Sequence, residues 1–285
     1  GRKPHWRFKL SGARKDWVDL VRGAQSIDTA SLSDPVLIRE DGAFLYTLPS
    51  VVDDLDFNIT HIVRGEDHVT NSGVQIEIFE ALGGEAPAFG HFPLLVGSDG
   101  GALSKRIGSL GVGELAEEGY EPMALLSHLA KIGTSDPVEP RTSIDQLAEE
   151  FAFEKIGRAP ARFDLEELKR VNAAILHQTS YESVKARLAT LGADKGEAFW
   201  SAVRANLVLL PDVKAYVRIV EGPIEPLIAD AAFTSAALDV LPTGAYDEKS
   251  WSVFVDAVKA KTGAKGKALF MPLRQALTGM DHGPE

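Results

Sequence analysis

Leu103-Ser104-Lys105-Arg106 follows the run Phe92-Pro93-Leu94-Leu95-Val96-Gly97-Ser98-Asp99-Gly100-Gly101, an order of residue types suited to polyphosphate chemistry. An apolar stretch ending in a glycine-rich turn predicts a strand end and then a loop, and Ser104, Lys105 and Arg106 place one hydroxyl and two cations on that loop. Positioned cations stabilise the charge that spreads over a phosphoryl transition state, and a loop can close on a nucleotide once it is bound. Taken alone, the tripeptide is more often a solvated loop than a site. Arg64 stands just past the run Ile59-Thr60-His61-Ile62-Val63, and open α/β sheets bind ligands beyond the carboxyl ends of their strands. A guanidinium there can grip a carboxylate through two N–H groups; the alternative is a strand-end cation in solvent. Glu66, Asp67 and His68 come next, but three consecutive side chains do not converge on a tetrahedral ion, so no metal site is read here.

These groups need a scaffold. Val36 to Leu48 reads as a hairpin around Asp41-Gly42, a dipeptide that accepts a tight turn. Ile59 to Val63 reads as a strand. Asn71 or Ser72 can cap a helix carrying Val74, Ile78, Phe79 and Leu82, stopped by Gly83-Gly84. His91 to Val96 reads as a returning strand, although Pro93 weakens it. Strand, helix, strand in this order predicts a parallel crossover within an α/β sheet. Beyond Gly113 the pattern is helical. Ser143 with Gln146 and Asp164 with Glu167 have capping-box spacing, and further helices are expected over 181–191, 197–210, 228–241 and 249–261. A short last helix is expected to start at Pro272, which suits a first helical position.

Four stretches in order are Tyr46-Thr47-Leu48-Pro49-Ser50-Val51-Val52-Asp53-Asp54, His61-Ile62-Val63-Arg64-Gly65-Glu66-Asp67-His68, Leu103-Ser104-Lys105-Arg106 and Pro272-Leu273-Arg274-Gln275-Ala276-Leu277-Thr278-Gly279. With them the chain resembles the glutamyl-tRNA synthetases, class I aminoacyl-tRNA synthetases of the bacterial type. The resemblance implies the second half of a Rossmann-like α/β nucleotide-binding fold followed by an all-α anticodon-binding domain. Residues 1–35 would end an acceptor-stem-binding insertion, 36–112 would be the catalytic half-domain, 113–178 a stem-contact region and 179–285 the helical anticodon-binding domain. It implies ATP with Mg2+, L-glutamate and tRNA(Glu) as the reactants, with tRNA(Gln) a further candidate acceptor. By the same resemblance Lys105 meets the ATP phosphates while Ser104 and Arg106 shape the loop. Arg64, Tyr46 and Ser50 line the glutamate pocket, and Asp67 and His68 border the nucleotide. Two departures stand out. Ala102 occupies the first lysine position of the family's loop, and no His-Ile-Gly-His-like motif precedes Tyr46. The chain is therefore expected to be incomplete, or else to be a non-catalytic tRNA-binding fragment or paralogue. The short paralogues that glutamylate a modified tRNA base fit less well, because more than a hundred residues follow Gln178.

Composition sets the remaining bounds. The 285 residues are 45% hydrophobic, enough for packed cores in two or more domains. No apolar run reaches the ~20 residues that span a bilayer, and no signal-peptide core follows Gly1, so a cytoplasmic protein is expected. The absence of cysteine excludes disulfides and thiolate zinc sites within these residues. A net charge of -11 argues against indiscriminate coating of nucleic acid. Even so, no acidic residue lies between Asp256 and Asp281, where Lys259, Lys261, Lys265, Lys267 and Arg274 fall. On charge alone that stretch is a solvated face; the resemblance makes it a tRNA-binding segment. Trp200, Phe233, Trp251, Phe254 and Phe270 are expected to pack in helical cores rather than stack on bases.

Overall fold

The computed structural model of the chain describes residues 4–101, 103, 111–247 and 249–281. They divide into one unit of residues 1–114 and 123–171 and a second of residues 115–122 and 172–285.

The first unit opens with β1 (Trp6–Arg7), β2 (Arg14–Asp19) and β3 (Gly23–Asp28). β2 and β3 form an antiparallel hairpin that the sequence reading did not anticipate. Its turn is closed by the Asp19 carboxylate, which accepts the amides of Val21 and Arg22, and by Gly23 at φ 72°. β4 (Val36–Ile38) pairs with β1 and bridges back to Phe44, so the expected hairpin around Asp41-Gly42 forms as far as Phe44. Past it the chain turns helical, as α1 (Thr47–Asp56). Pro49 fits a first helical turn, and Leu48, Val51 and Leu55 recur on one face; the core they join with Ile78 and Phe79 outweighs the strand reading. Asp53 and Asp54 thus lie in a helix rather than at a hairpin end.

β5 (His61–Gly65), α2 (Val69–Ala81) and β6 (Ala88–Phe92) make the expected crossover, with β5 and β6 parallel and Arg64 in register with His91. Pro93 ends β6, since it cannot donate to a ladder, and the chain resumes as β7 (Leu95–Gly97). α2 is buried on more than its apolar side. Ser72, Gln75 and Glu77 are also enclosed, and Gly73 presses on β3 so closely that a Cβ there would lie 2.8 Å from Ile27 Cβ. A helix-interior glycine costs about 1 kcal/mol relative to alanine; here it permits the approach of helix to hairpin. The chain continues through α3 (Val112–Glu118), which passes into the second unit at Leu115, α4 (Pro122–Lys131), which returns to the first at Met123, α5 (Ile144–Glu150), β8 (Ala161–Phe163), parallel to β7, and α6 (Leu165–Gln178), whose later residues belong to the second unit. Ser143 caps α5 through the Gln146 amide, and the Asp164 side chain accepts the Glu166 amide at the start of α6.

The second unit is helical: α7 (Tyr181–Thr190), α8 (Glu197–Val203), α9 (Val213–Glu221), α10 (Ala231–Leu238), α11 (Ser250–Thr262) and α12 (Lys267–Thr278). The helix expected over 197–210 stops at Val203. Leu207 is extended and fully buried, its carbonyl takes His177 Nε2, and the amides of Val208 and Leu209 turn onto the Asp212 carboxylate. The last helix begins at Lys267, five residues before Pro272, because Leu269 and Leu273, four apart, are buried on one face across the proline. Trp200 and Phe254 are buried as expected and Phe233 packs on the same core as Phe254, whereas Trp251 and Phe270 are exposed.

Candidate active site

β5 carries Arg64, half-buried, one residue before its end, and every hydrogen-bond partner of the guanidinium is neutral. Nη2 donates to Ser72 Oγ and Gln75 Oε1, each at 2.6 Å. Nε lies 3.4 Å from His91 Nε2, and Nη1 donates to Tyr46 Oη at 3.2 Å. The Phe89 ring centroid is 5.6 Å from Cζ. Among the described residues Arg64 has no ion pair. Its charge draws the Asp54 carboxyl downward, but burial of Asp54 outweighs that and holds its pKa above the ordinary carboxylate value. An incompletely solvated cation without an anion partner is unfavourable by itself and attracts a negative ligand.

Four of the five N–H donors are occupied. The remaining one is on Nη1, beside the exposed Tyr46 hydroxyl. The edge offered outward is therefore one guanidinium N–H with one phenol O–H, in place of the two N–H groups of a free fork.

Behind Arg64 lies a buried relay. Asp19 Oδ1 accepts the amides of Val21, Arg22 and His91, and Oδ2 is 2.5 Å from His91 Nδ1. Burial pushes the Asp19 carboxyl up, but these donors outweigh it and leave its pKa below the usual value. Burial holds the His91 pKa below the usual imidazole value against the pull of Asp19, with Arg64 and Arg22 acting in the same direction as burial. His91 Nε2 is 2.9 Å from Ser72 Oγ.

Tyr46, Arg64 and Ser50 come together as the sequence reading grouped them. Ser50 Oγ accepts Gln75 Nε2 at 2.9 Å and donates to the Thr47 carbonyl, so it braces Gln75. His68 lies near Tyr46, ring centroids 6.0 Å apart, with Nδ1 3.2 Å from Asn71 Nδ2; Asp67 is exposed, 3.8 Å from His68 Nε2. Glu66 is paired with Arg22. Ser104, Lys105, Arg106 and Ala102 lie outside the described residues. Among the described residues no group of three His, Asp or Glu side chains is placed to hold a metal ion, and no helix is long and apolar enough to cross a membrane. In the second unit Lys259, Lys261, Lys265 and Lys267 are exposed along the end of α11 and the start of α12. Lys261 pairs with Asp239 at 2.7 Å. Arg274 is half-buried, near enough to Tyr216 to influence its hydroxyl.

The family model for the catalytic domain of class I tRNA synthetases (E and Q) matches residues 1–170, more than half of the chain. The chain belongs to the class I tRNA synthetases (E and Q). A glutamate–tRNA ligase of Hyphomonas neptunium is 62% identical over 288 residues, covering all of this chain and 65% of that protein; one of Maricaulis maris is 61% identical, covering all of this chain and 64% of that protein. This synthetase chain thus spans about two thirds of the length of those relatives. Its fold matches the crystal structure of the glutamate-tRNA synthetase of Elizabethkingia anophelis with a TM-score of 0.77 at 25% identity, over 98% of this chain and 63% of that one. A glutamate tRNA ligase of Elizabethkingia meningosepticum, solved in complex with its amino acid, matches equally well.

Within this synthetase the sequence reading missed Asp19, Ser72, Gln75 and His91. Ser72 and Gln75 lie three apart in α2, a spacing that puts two polar groups on one face of a helix. Asp19 and His91 are 72 residues apart and meet only through the fold.

Proposed function

We propose that this chain carries the amino-acid site of a glutamate–tRNA ligase. In the full-length enzyme a carboxylate oxygen of L-glutamate attacks the α-phosphorus of ATP, the bond to pyrophosphate breaks, and the glutamyl group passes from AMP to the 3′ end of tRNA(Glu). The observation that carries the reading is Arg64, a cation gripped only by neutral acceptors, with one N–H and the Tyr46 hydroxyl facing outward. The side-chain carboxylate of glutamate, not the α-carboxylate that attacks ATP, supplies the missing charge and accepts both hydrogen bonds; the side-chain amide of glutamine supplies neither the charge nor a second acceptor oxygen. The relatives at 61% and 62% identity support the same activity.

In this reading Arg64 and Tyr46 hold the substrate carboxylate and Ser50 keeps Gln75 in place. Lys105, with Ser104 and Arg106, neutralises the phosphates as pyrophosphate departs, and Asp67 and His68 border the nucleotide. Mg2+ arrives on the ATP phosphates, as it commonly does in phosphate-transfer sites. Residues 1–35 belong to the acceptor-stem insertion, 36–112 to the catalytic half-domain, 113–178 to the stem-contact region and 179–285 to the anticodon-binding domain, where Lys259, Lys261, Lys265, Lys267 and Arg274 meet RNA phosphates. The enzyme works in the cytoplasm with its tRNA. ATP–pyrophosphate exchange, with tRNA(Glu) or tRNA(Gln) supplied, tests the proposal in the full-length enzyme. Exchange that requires L-glutamate and is lost in Arg64→Ala supports it; exchange equally supported by L-glutamine would overturn the assignment of Arg64.

A further inference from the structure

We propose that His91 is a positioning residue for Arg64: as a neutral imidazole with its Nδ1–H on Asp19, it turns the Nε2 lone pair toward the Arg64 Nε–H and the Ser72 hydroxyl and fixes the guanidinium plane. Where it concerns substrate, this rests on the reading of Arg64 as the carboxylate-binding cation. Three backbone amides converge on Asp19 Oδ1, so this buried carboxylate is stable as the anion, and Oδ2, 2.5 Å from Nδ1, takes the imidazole proton. A second proton on Nε2 would face Arg64, with Arg22 also nearby, and would set donor against donor and charge against charge. Nε2 is therefore the acceptor. The Ser72 hydroxyl, 2.6 Å from Arg64 Nη2, receives a proton from the guanidinium and gives its own to Nε2 at 2.9 Å in preference to the His68 carbonyl at 3.3 Å. Nε and Nη2 are thereby turned inward, and Nη1 is left facing Tyr46 and the ligand.

The relay has a defined way to fail. In Asp19→Asn the three amides still require an oxygen, so the carboxamide NH2 takes the place of Oδ2 and faces Nδ1. Nδ1 must then accept, Nε2 carries the proton, and that proton points at Arg64. Nitrogen NMR of this chain reads the ring directly. The wild type is expected to show the Nδ1–H tautomer and an Arg64 Nε–H signal protected from exchange; Asp19→Asn is expected to show the Nε2–H tautomer and to lose that protection. In the full-length enzyme Asp19→Asn is expected to raise the glutamate KM about 10-fold to 100-fold, the scale of a displaced binding group, with the ATP KM and kcat at saturating glutamate little changed. His91→Gln, which can place an amide oxygen near the Nε2 position, is expected to recover part of the affinity that His91→Leu loses. An Nε2–H tautomer in the wild type would overturn the proposal. So would an Asp19→Asn variant that keeps both the Arg64 signal and the glutamate KM while Arg64→Ala raises that KM. If Arg64→Ala itself leaves the KM unchanged, the substrate reading fails instead, and the tautomer and the Arg64 signal still decide the role of His91.

Discussion

Lys131 and Arg64 belong to the same unit, but one lies against carboxylates and the other against neutral acceptors. Lys131, 5% exposed, is 3.0 Å from Asp136 and 2.6 Å from Glu150; Arg141 shares Glu150 and Lys155 shares Asp136. Burial works against the Lys131 charge, but its two acidic partners hold its pKa above the usual lysine value. Lys155 and then Lys131 pull the Asp136 pKa down, as Arg141 and then Lys131 do for Glu150. Every charge in that cluster has its opposite within the chain, so nothing is left for a ligand to complete. Arg64 has four of its five donors placed on neutral groups and no ion-pair partner among the described residues. Hydrogen bonding and charge balance are thus separable: a cation satisfied in both respects is structural, and one satisfied only in the first is set for an anion.

Breaking each cluster should give opposite results. The largest effect is expected for Arg64→Ala in the full-length enzyme, with loss of roughly 2 to 5 kcal/mol of glutamate binding, the scale for removing one partner of a desolvated charge pair. Its Tm should hold or rise. Arg64→Lys should restore only part, because a point charge cannot keep Ser72, Gln75 and Tyr46 together. Steady-state kinetics against glutamate with parallel thermal melts checks both. Lys131→Ala should do the reverse, lowering Tm by about 5 °C because Asp136 and Glu150 each lose one of their two cation partners, while glutamate KM stays at the wild-type value. A raised KM without a change in Tm would undo the contrast.

His128 sharpens it from a third side. It is fully buried, with neither ring nitrogen hydrogen-bonded, its ring edge-on to Phe163 at 4.9 Å and its nearest paired carboxylate, Glu167, 3.9 Å away. Burial lowers its pKa, against the pull of Glu167 and Asp164. The folded state therefore binds fewer protons than the unfolded chain just below the usual imidazole pKa of about 6.5, and stability falls as pH drops through that window. Melts at pH 8 and pH 5.5 should show a larger acid loss for the wild type than for His128→Leu, by about 1 kcal/mol. Equal losses would place the acid sensitivity elsewhere.

The smallest effect concerns the second unit. Among the described residues Lys259, Lys265 and Lys267 have no ion pair, while Lys261 has Asp239. If charge matching governs ligand binding there too, Lys259→Gln, Lys265→Gln and Lys267→Gln should each flatten the salt dependence of tRNA binding, by about 0.7 to 0.9 for every phosphate that is no longer neutralised. Lys261→Gln should flatten it least. Titrations at several salt concentrations decide this, and equal slopes for all four would return the segment to a solvated face.

What could be read in advance follows the range of the interactions. Ser143 before Gln146, and a strand–helix–strand order whose first strand carries Arg64, are local, and both appear in the fold. The grouping of Tyr46, Ser50 and Arg64 came from family resemblance rather than spacing. The helix at Thr47–Asp56 was hidden by a turn signal beside it, and the one across Pro272 by a rule about proline that two buried leucines override. Asp19 and His91 were out of reach for a different reason. Each is an ordinary polar residue in its own neighbourhood, and their meeting is fixed by the β2–β3 hairpin settling beside β6, a long-range event that no local pattern encodes.

Gly73 sits between Ser72 and Gln75 on α2, where even a methyl group would meet the stiff, branched Ile27 at 2.8 Å. In evolutionary terms the two positions are interlocked. Gly73→Ala, ordinarily among the mildest changes in a helix, would here have to displace the helix that bears Ser72 and Gln75, two of the four neutral partners of Arg64, and a smaller residue at position 27 would have to come first. Neutral drift through this part of the chain is therefore ordered: the hairpin must change before the helix, and a gene library that randomises α2 alone should return glycine at 73 even under selection for stability rather than activity.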